Sequence, residues 1–321
     1  MMTKTLIQAI EESGKIGITG HIRPDGDCVG STVALYNYIR KNYPDKSVSF
    51  YLETVPDEMS KVLNAPDPLN GDECDETFDL FVSLDSSSLD RLGPNVHLFE
   101  KAGIKYVVDH HKTNTCFGDY NHVVEDASSC CEVLFDLLEY EKMDLSVAMA
   151  LYLGIVHDTG VFKYSSTCRH TMEIAGMLLD LGVDSARIID GTFYEKSWAQ
   201  NKLLAIALNK AMLYDEGYVA ATLITRQDLK SVGLSMNDTD GIVEQLRLTR
   251  GVEIAIFVRE DGDDYYKFSL RSKNGEVDVS KIAVCYEGGG HSRAAGFNVS
   301  GNIDEIIENV LRLIKEYKNK A

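Results

Sequence analysis

Apolar and polar positions follow two alternating patterns over the first 190 residues. Short apolar runs, which predict strands, occur at 15–19, 47–52, 77–84 and 104–108. Segments with apolar residues at helical spacing, which predict helices, occur at 28–41, 128–139, 145–156 and 169–181. Strands that alternate with helices are typical of a mostly parallel sheet covered on both faces. We therefore expect an α/β domain over residues 1–190.

The pattern changes beyond residue 190. A long helix is predicted at 195–213, within a linker that we place at 191–214. Strands are then predicted at 218–224, 253–259, 265–271 and 296–300, and helices at 239–247 and 304–318. Elements in this order are typical of an α+β domain. We expect a second, smaller domain with its own core over residues 215–321.

Composition and charge limit the classes of partner. Fifty acidic and 32 basic residues give the 321-residue chain a formal charge of −18. A surface of this charge repels long nucleic acids, whose binding normally depends on Lys and Arg. Small anionic substrates stay possible if a local positive charge, such as a metal pair, overrides the global field.

Targeting and cysteine signals favour a protein of the reduced cytoplasm. The first 12 residues predict an amphipathic helix and not a secretory signal, and no run of about 18 apolar residues predicts a membrane span. Seven cysteines without a Cys-x-x-Cys pair argue against a disulfide framework and a four-cysteine zinc site.

Polar side chains that can bind metals follow three of the predicted strands and one helix. They are His21, Asp25 and Asp27 after the first strand, Asp85 after the third, Asp109, His110 and His111 after the fourth, and Asp158 at the helix end. Carboxylates and imidazoles suit Mn²⁺ or Mg²⁺ better than structural Zn²⁺. Two cations sharing one carboxylate would relieve the repulsion among so many acids. The alternative for each motif alone is an ordinary turn or helix cap.

A glycine-rich segment, Glu287 to Gly296, dominates the second predicted domain. Three consecutive glycines allow successive backbone N–H groups to form an anion nest, and His291 and Arg293 follow them. Arg271 ends a nearby predicted strand. We interpret the segment as a phosphate cradle that faces the metal site across a cleft; the alternative is a flexible turn between strands.

These motifs, in this order, resemble those of the DHH phosphoesterase family. The resemblance lies in residues 20–27 (Gly-His-Ile-Arg-Pro-Asp-Gly-Asp), 84–85 (Leu-Asp), 109–111 (Asp-His-His) and 157–160 (His-Asp-Thr-Gly). Residues 288–296 resemble the Gly-Gly-Gly-His-x-x-Ala-Ala-Gly signature of the DHHA1 domain. The two-domain size is similar to the nanoRNase/pAp phosphatase group, which is manganese-dependent and hydrolyses very short oligonucleotides and 3′-phosphoadenosine 5′-phosphate (pAp).

The resemblance implies a role for each matching residue. The first cation would be held by His21, Asp25 and Asp85, and the second by Asp27, Asp85, His110 and Asp158. Asp85 would bridge the two ions, His111 would lie over the substrate phosphate, and Asp109 would orient its neighbours. A terminal phosphate would be bound by Gly289, Gly290 and His291, with Arg271 near the nucleotide. The implied cation is Mn²⁺, with Mg²⁺ or Co²⁺ as substitutes, and a homodimer is the default assembly for such enzymes.

Two departures from the family pattern leave alternatives open. Cys28 occupies a position where a small Ala or Ser is expected, and residues 166–171 differ from the Thr-Thr-Pro-Arg-Thr pattern of the nanoRNase group, which leaves the role of Arg169 open. The nearest alternative is a cyclic di-AMP or pApA phosphodiesterase of the same family. Less favoured are a RecJ-like exonuclease, a family-II pyrophosphatase and a nucleotide-binding regulator without turnover.

Overall fold

The computed structural model describes residues 4–239 and 241–320, apart from the side chain of Asn237. The chain forms two compact units that divide between Glu195 and Lys196. The domain boundaries set out above (1–190, 191–214 and 215–321) stay a prediction. The predicted N-terminal helix begins at Leu6, and residues 1–3 lie outside the described residues. Among the described residues, no helix combines the length and apolar character needed to cross a membrane.

The first unit contains a five-stranded sheet in the order β2-β1-β3-β4-β5, and all its pairs are parallel. Its strands are β1 (Lys15–Thr19), β2 (Ser47–Tyr51), β3 (Leu80–Leu84), β4 (Ile104–Asp109) and β5 (Tyr120–Val123). The predicted α/β architecture is confirmed. The short strand β5 was not predicted, because its sequence Tyr-Asn-His-Val has no apolar run.

Helices cover both faces of this sheet. They are α1 (Leu6–Glu12), α2 (Gly26–Asn42), α3 (Asp57–Leu63), α4 (Val96–Lys101), α5 (Cys130–Leu137), α6 (Leu145–Asp158), α7 (Arg169–Asp180) and α8 (Ser185–Ile189). Alternate residues of β3 enter different cores: Leu80, Val82 and Leu84 face the main helical layer, and Phe81 packs in an aromatic cluster with Phe99 of α4. This two-sided burial explains the uninterrupted apolar sequence of the strand.

Helices α2 and α6 approach each other closely. A Cβ added to Gly30 of α2 would lie 2.5 Å from the Ala150 carbonyl oxygen of α6. A Cβ added to Gly154 of α6 would lie 2.8 Å from Oδ1 of Asp27. Glycine at both positions therefore lets the first turn of α2 reach the end of α6, which brings Asp27 near Asp158.

The second unit contains a six-stranded mixed sheet in the order β10-β11-β9-β8-β7-β6, in which only β7 and β8 pair in parallel. Its strands are β6 (Met212–Tyr214), β7 (Val219–Ile224), β8 (Ile254–Gly262), β9 (Tyr265–Ser272), β10 (Gly289–His291) and β11 (Ala294–Ser300). The predicted smaller α+β domain is confirmed.

Five helices of the second unit pack on this sheet or beside it. They are α9 (Trp198–Lys210), α10 (Arg226–Val232), α11 (Ile242–Arg247), α12 (Val279–Val284) and α13 (Ile303–Lys318). Helix α9 is shorter than the helix predicted at 195–213. Its residues Leu203 and Ala207 are buried in the core of this unit. Helix α10 was not predicted, although Thr225 and Asp228 form a capping box at its start and Gly233 ends it.

Within the glycine-rich segment, Gly289–His291 forms the short edge strand β10. Strand β10 pairs antiparallel with β11, so that Gly290 faces Ala295 and His291 faces Ala294. Gly290 has φ +141°, and a Cβ there would lie 2.4 Å from the Ala294 carbonyl oxygen. Glycine is required at this position by both the backbone conformation and the close approach.

Candidate metal centre

The carboxyl ends of β1, β3 and β4 bring three predicted ligands together. Because β3 lies between β1 and β4, Asp85 lies between His21 and His110. Its Oδ2 is 3.5 Å from Nε2 of His21, and its Oδ1 is 3.6 Å from Nε2 of His110. This edge is where ligands bind in parallel α/β folds.

Asp85 combines an uncommon backbone conformation with a buried side chain. Its φ is +53°, a left-handed conformation that Asp tolerates better than most residues. The residue is only 2% exposed, and its Oδ1 has no hydrogen-bond partner among the described residues. A buried carboxylate oxygen without a donor is costly unless a cation compensates it.

Helix ends supply three further carboxylates. Asp25 caps α2 and accepts hydrogen bonds from the backbone N–H groups of Asp27 and Cys28, both at 3.1 Å. Its Oδ1 lies 3.7 Å from Nε2 of His21. Asp27 lies in the first turn of α2, and Asp158 is the last residue of α6. The loop that follows β1 therefore serves both groups of ligands.

A second group of donors surrounds His110. Its Nε2 is 3.4 Å from Oδ2 of Asp158 and 3.9 Å from Oδ2 of Asp27. These separations are too long for good hydrogen bonds. One donor atom from each of Asp27, His110 and Asp158 lies within 4.8 Å of the other two, a spacing that ligands of one ion can have.

Backbone carbonyls orient the two imidazoles. Nδ1 of His21 lies 2.8 Å from the Ile22 carbonyl oxygen, and Nδ1 of His110 lies 3.3 Å from that of Ala127. A carbonyl oxygen only accepts, so each Nδ1 donates its hydrogen and each Nε2 is directed at the carboxylates. Histidines that ligate metals are usually fixed in this way.

The pKa values of the cluster reflect an excess of negative charge. Burial lowers the pKa of both ligand histidines, but the neighbouring carboxylates outweigh it and raise the pKa of His21 and of His110 to about 10. Burial, with repulsion from Asp85, raises the pKa of Asp27 well above its usual range and that of Asp158 to about 6. The cluster therefore carries an excess of negative charge that divalent cations would neutralise.

Asp109 and His111 form a pair beside this cluster. Asp109 is fully buried, and its Oδ1 accepts a hydrogen bond from Nδ1 of His111 at 2.8 Å. That hydrogen bond raises the pKa of His111. The His111 side chain is 42% exposed, whereas that of His110 is 15% exposed. His111 is therefore the more accessible imidazole at this edge.

The donor set fits a pair of divalent cations. Asp85 belongs to two candidate groups, one with His21 and Cys28 and one with His110 and His111, and His110 also joins Asp27 and Asp158 in a third. The Oδ1 atom of Asp85 has no hydrogen-bond partner among the described residues. The Cys28 sulfur also lies within 4.8 Å of donor atoms of His21 and Asp85. Burial raises the pKa of this thiol well above its usual value, which favours a packed neutral thiol beside the oxygen and nitrogen donors.

The predicted substrate residues of the second unit lie in one row of its sheet. In the antiparallel register, Ala294 of β11 faces Arg271 on one side and His291 on the other. Directly opposed residues share a face of a sheet, so two basic side chains flank a small one. Nε of Arg271 donates to Oε1 of Glu244 at 2.9 Å. Gly289 and Gly290 belong to the edge strand beside this row.

Several residues that support the centre were not predicted. Nδ2 of Asn114 donates to Oδ2 of Asp109 at 2.6 Å. Backbone N–H groups of Cys130 and Cys131 donate to Asp27. Asn114 lies in the turn-like sequence Thr-Asn-Thr at 113–115. The other residues carry no local signal, because their contacts cross between elements that are distant along the chain.

The fold and the centre define a class of protein. Residues 15–155 match the DHH family, N-terminal domain, and residues 215–317 match the DHHA1 domain. The chain belongs to the DHH phosphoesterase family, whose members are metal-dependent.

Within this family, the chain is similar to proteins of one group. It is 31% identical over 303 residues to a probable bifunctional oligoribonuclease and PAP phosphatase NrnA of Streptococcus mutans, covering 92% of this chain and 93% of that protein. It is 29% identical to the protein of that name, without the qualifier "probable", from Bacillus subtilis, covering 99% and 100%. An exopolyphosphatase-related protein from Bacteroides fragilis has a similar solved structure, with a TM-score of 0.86 and 25% identity over 98% of this chain and 95% of that one.

Proposed function

We propose that this chain is a two-metal phosphoesterase that hydrolyses short oligoribonucleotides and pAp. The names of its relatives support the substrate class. The observation that carries the proposal is Asp85, a buried carboxylate whose two oxygens face different donor groups and whose Oδ1 lacks a partner among the described residues. One carboxylate between two donor groups suits a bridging ligand.

The side chains of the centre divide between two cation positions. His21, Asp25 and Asp85 would hold the first ion, and Asp27, Asp85, His110 and Asp158 the second. We propose Mn²⁺, with Mg²⁺ or Co²⁺ as substitutes, because all these donors are oxygen or imidazole nitrogen. When bound, such a pair polarises the phosphoryl group and lowers the pKa of the attacking water.

The protein itself positions the phosphate that reacts. His111 is the exposed imidazole at the sheet edge, and Asp109 fixes its Nδ1. We propose that His111 contacts a phosphate oxygen of the substrate, while Asp109 and Asn114 keep the ring in place. A preorganised donor of this kind stabilises charge that develops on the phosphoryl oxygens.

A second phosphate would be bound by the row of Arg271, Ala294 and His291. Arginine binds phosphate with two parallel hydrogen bonds, and the small Ala294 leaves room between the two basic side chains. The backbone of Gly289 and Gly290 lies at an exposed sheet edge, where an oxyanion can approach closely.

Charge supports a preference for small substrates. One or two phosphates can be neutralised locally, whereas a long strand would cross a surface of formal charge −18. The proposed substrate is thus a small nucleotide or short oligonucleotide, without a long nucleic-acid or membrane partner. We place the enzyme in the cytoplasm and propose a homodimer as its assembly.

The test is hydrolysis of end-labelled 2-mers to 24-mers with Mn²⁺, beside pAp, pApA and cyclic di-AMP. We expect the shortest oligomers and pAp to be turned over fastest. Equal rates over the whole length range would refute the preference. Faster turnover of cyclic di-AMP or pApA than of pAp would favour the alternative activity within the family. Binding without turnover of any substrate would favour a nucleotide-binding regulator.

Arg271→Gln tests the second phosphate site. It should raise KM for pAp and leave the hydrolysis of bis-p-nitrophenyl phosphate, which has one phosphate, unchanged. Arg312→Gln is the matched control, since Arg312 lies on α13 in an exposed pair with Glu316. An equal loss on both substrates for Arg271→Gln would contradict the assigned role.

A further inference from the structure

One turn, Ala127 to Cys131, contacts two candidate ligands of the second cation. The Ala127 carbonyl oxygen accepts from Nδ1 of His110 at 3.3 Å. The backbone N–H groups of Cys130 and Cys131 donate to Oδ2 and Oδ1 of Asp27 at 2.6 and 2.9 Å. His110 follows β4 and Asp27 lies in the first turn of α2, so no local structure relates them. The conformation of this turn sets the positions of both.

Glu132 fixes this turn. It is 4% exposed, and its Oε2 accepts hydrogen bonds from Ser128 Oγ at 2.5 Å and from Thr171 Oγ1 at 2.7 Å. Its backbone N–H donates to Ser129 Oγ at 3.0 Å. The side chain therefore ties the turn to α7, where Thr171 also accepts from the Cys168 N–H.

Burying a carboxylate costs free energy, and a contact that only held two elements together would not require one. Among the described residues, Glu132 has no basic side chain at ion-pair distance, and a buried carboxylate without one is costly. Two hydroxyl donors on a single oxygen need a strong acceptor, and charge-assisted hydrogen bonds are the stronger ones. The result is a turn held more tightly than neutral contacts would hold it.

We propose that Glu132 is a positioning residue for the second cation site. It acts through the turn, which aligns the carboxylate of Asp27 and the Nε2 atom of His110, and it does not touch the ion. The role rests on the proposed two-metal function. Loss of such outer contacts typically weakens metal binding 10- to 100-fold.

The test compares three variants on one helix. Glu132→Ala removes the acceptor, and Glu132→Gln keeps an amide oxygen in its place. Asp136→Asn is the matched control, since Asp136 also lies on α5 and bonds to α7 through Nε2 of His170 at 2.8 Å, but is exposed and makes no contact with the turn. Mn²⁺ titration by calorimetry and electron paramagnetic resonance separates the first bound equivalent from the second.

We expect Glu132→Ala to bind the first Mn²⁺ as the parent chain does and the second about 10- to 100-fold more weakly. The coupled two-ion resonance signal should decrease, kcat should fall at unchanged KM, and Glu132→Gln should recover part of the affinity. Asp136→Asn should bind both equivalents normally. Normal binding of both ions by Glu132→Ala, or equal weakening of both in Glu132→Ala and Glu132→Gln, would overturn the proposal.

The metal titration also separates this inference from the proposed function. If the parent chain binds two ions but hydrolyses neither pAp nor short oligomers, the proposed function fails, and Glu132 is still judged by the second equivalent. A parent chain that binds no second ion would refute both.

Discussion

Replacing Asp85 by asparagine keeps the shape of the side chain and removes the negative charge shared by the two donor groups. Both oxygens of Asp85 lie 3.5–3.6 Å from imidazole nitrogens on opposite sides, and Oδ1 has no partner among the described residues. An amide offers one neutral oxygen and an N–H group that repels a cation. We therefore expect both cation positions to weaken together.

The size of the effect follows from linkage. At a Mn²⁺ concentration of 100 times the dissociation constant, one site stabilises the folded chain by about 2.7 kcal/mol. A 100-fold weaker site contributes only about 0.4 kcal/mol at the same concentration. The centre lies in the first compact unit, which ends at Glu195. For a unit of that size, the Mn²⁺-induced rise in Tm should fall from roughly 5–11 °C per site to about 1–2 °C.

Differential scanning calorimetry with and without Mn²⁺ measures this rise within each variant. The comparison cancels changes in metal-free stability, which have two opposing causes. The amide loses attraction to His21 and His110, but it also relieves repulsion of Asp27 and Asp158. Asp136→Asn, the same charge change at an exposed position, should keep the full rise. A full rise in Asp85→Asn would mean that Asp85 does not bridge the two ions.

In a thiol titration with Ellman's reagent, the cysteines of the native chain should fall into a slow class and a fast class. Cys28, Cys130 and Cys131 should react slowly, because burial raises their pKa well above the usual range. Prompt reaction of all seven cysteines would contradict that burial. Gly154→Ala should lower the free energy of unfolding by about 1–3 kcal/mol, because the added Cβ would lie 2.2 Å from the Cys131 sulfur. Gly176→Ala, where an added Cβ meets nothing within 4 Å, should cost nothing, and equal denaturation midpoints for the two variants would refute the packing. The hydrogen bond to Asp136 raises the pKa of His170, so this pair stabilises the fold below the ordinary pKa of 6.5 and loses its effect as the pH rises through the folded-state pKa. Because the pair is half-exposed, His170→Gln should lower the free energy of unfolding by less than about 1 kcal/mol. The loss should be measurable at about pH 6 and absent at about pH 9. A loss of stability that grows with pH would contradict this reasoning.

Local patterns in the sequence were sufficient to predict the strands that carry the centre. Strands β1, β3 and β4 are apolar because both faces are buried, and the polar residues after them mark where the strands end. Parallel strands place these ends at one edge, so the fold class predicts that the residues after them share that edge. The side chains that terminate the strands could therefore be named before the fold was known.

Short elements were missed for a physical reason. Strand β5 has four partly exposed residues, and β10 is largely glycine. Both are held by backbone hydrogen bonds to a neighbouring strand, which leave no periodic pattern of side chains. Their existence depends on the neighbour and not on their own sequence.

The sequence by itself determined which residue types stand at the ends of β1, β3 and β4, since hydrophobic periodicity and chain breaks are local properties. The tertiary structure alone decided that β3 lies between β1 and β4, which makes Asp85 central. It also decided that the turn before α5 holds Asp27, a contact across 103 positions of the chain. Such contacts depend on how helices pack over a sheet, and packing is a property of the whole core that no local pattern encodes.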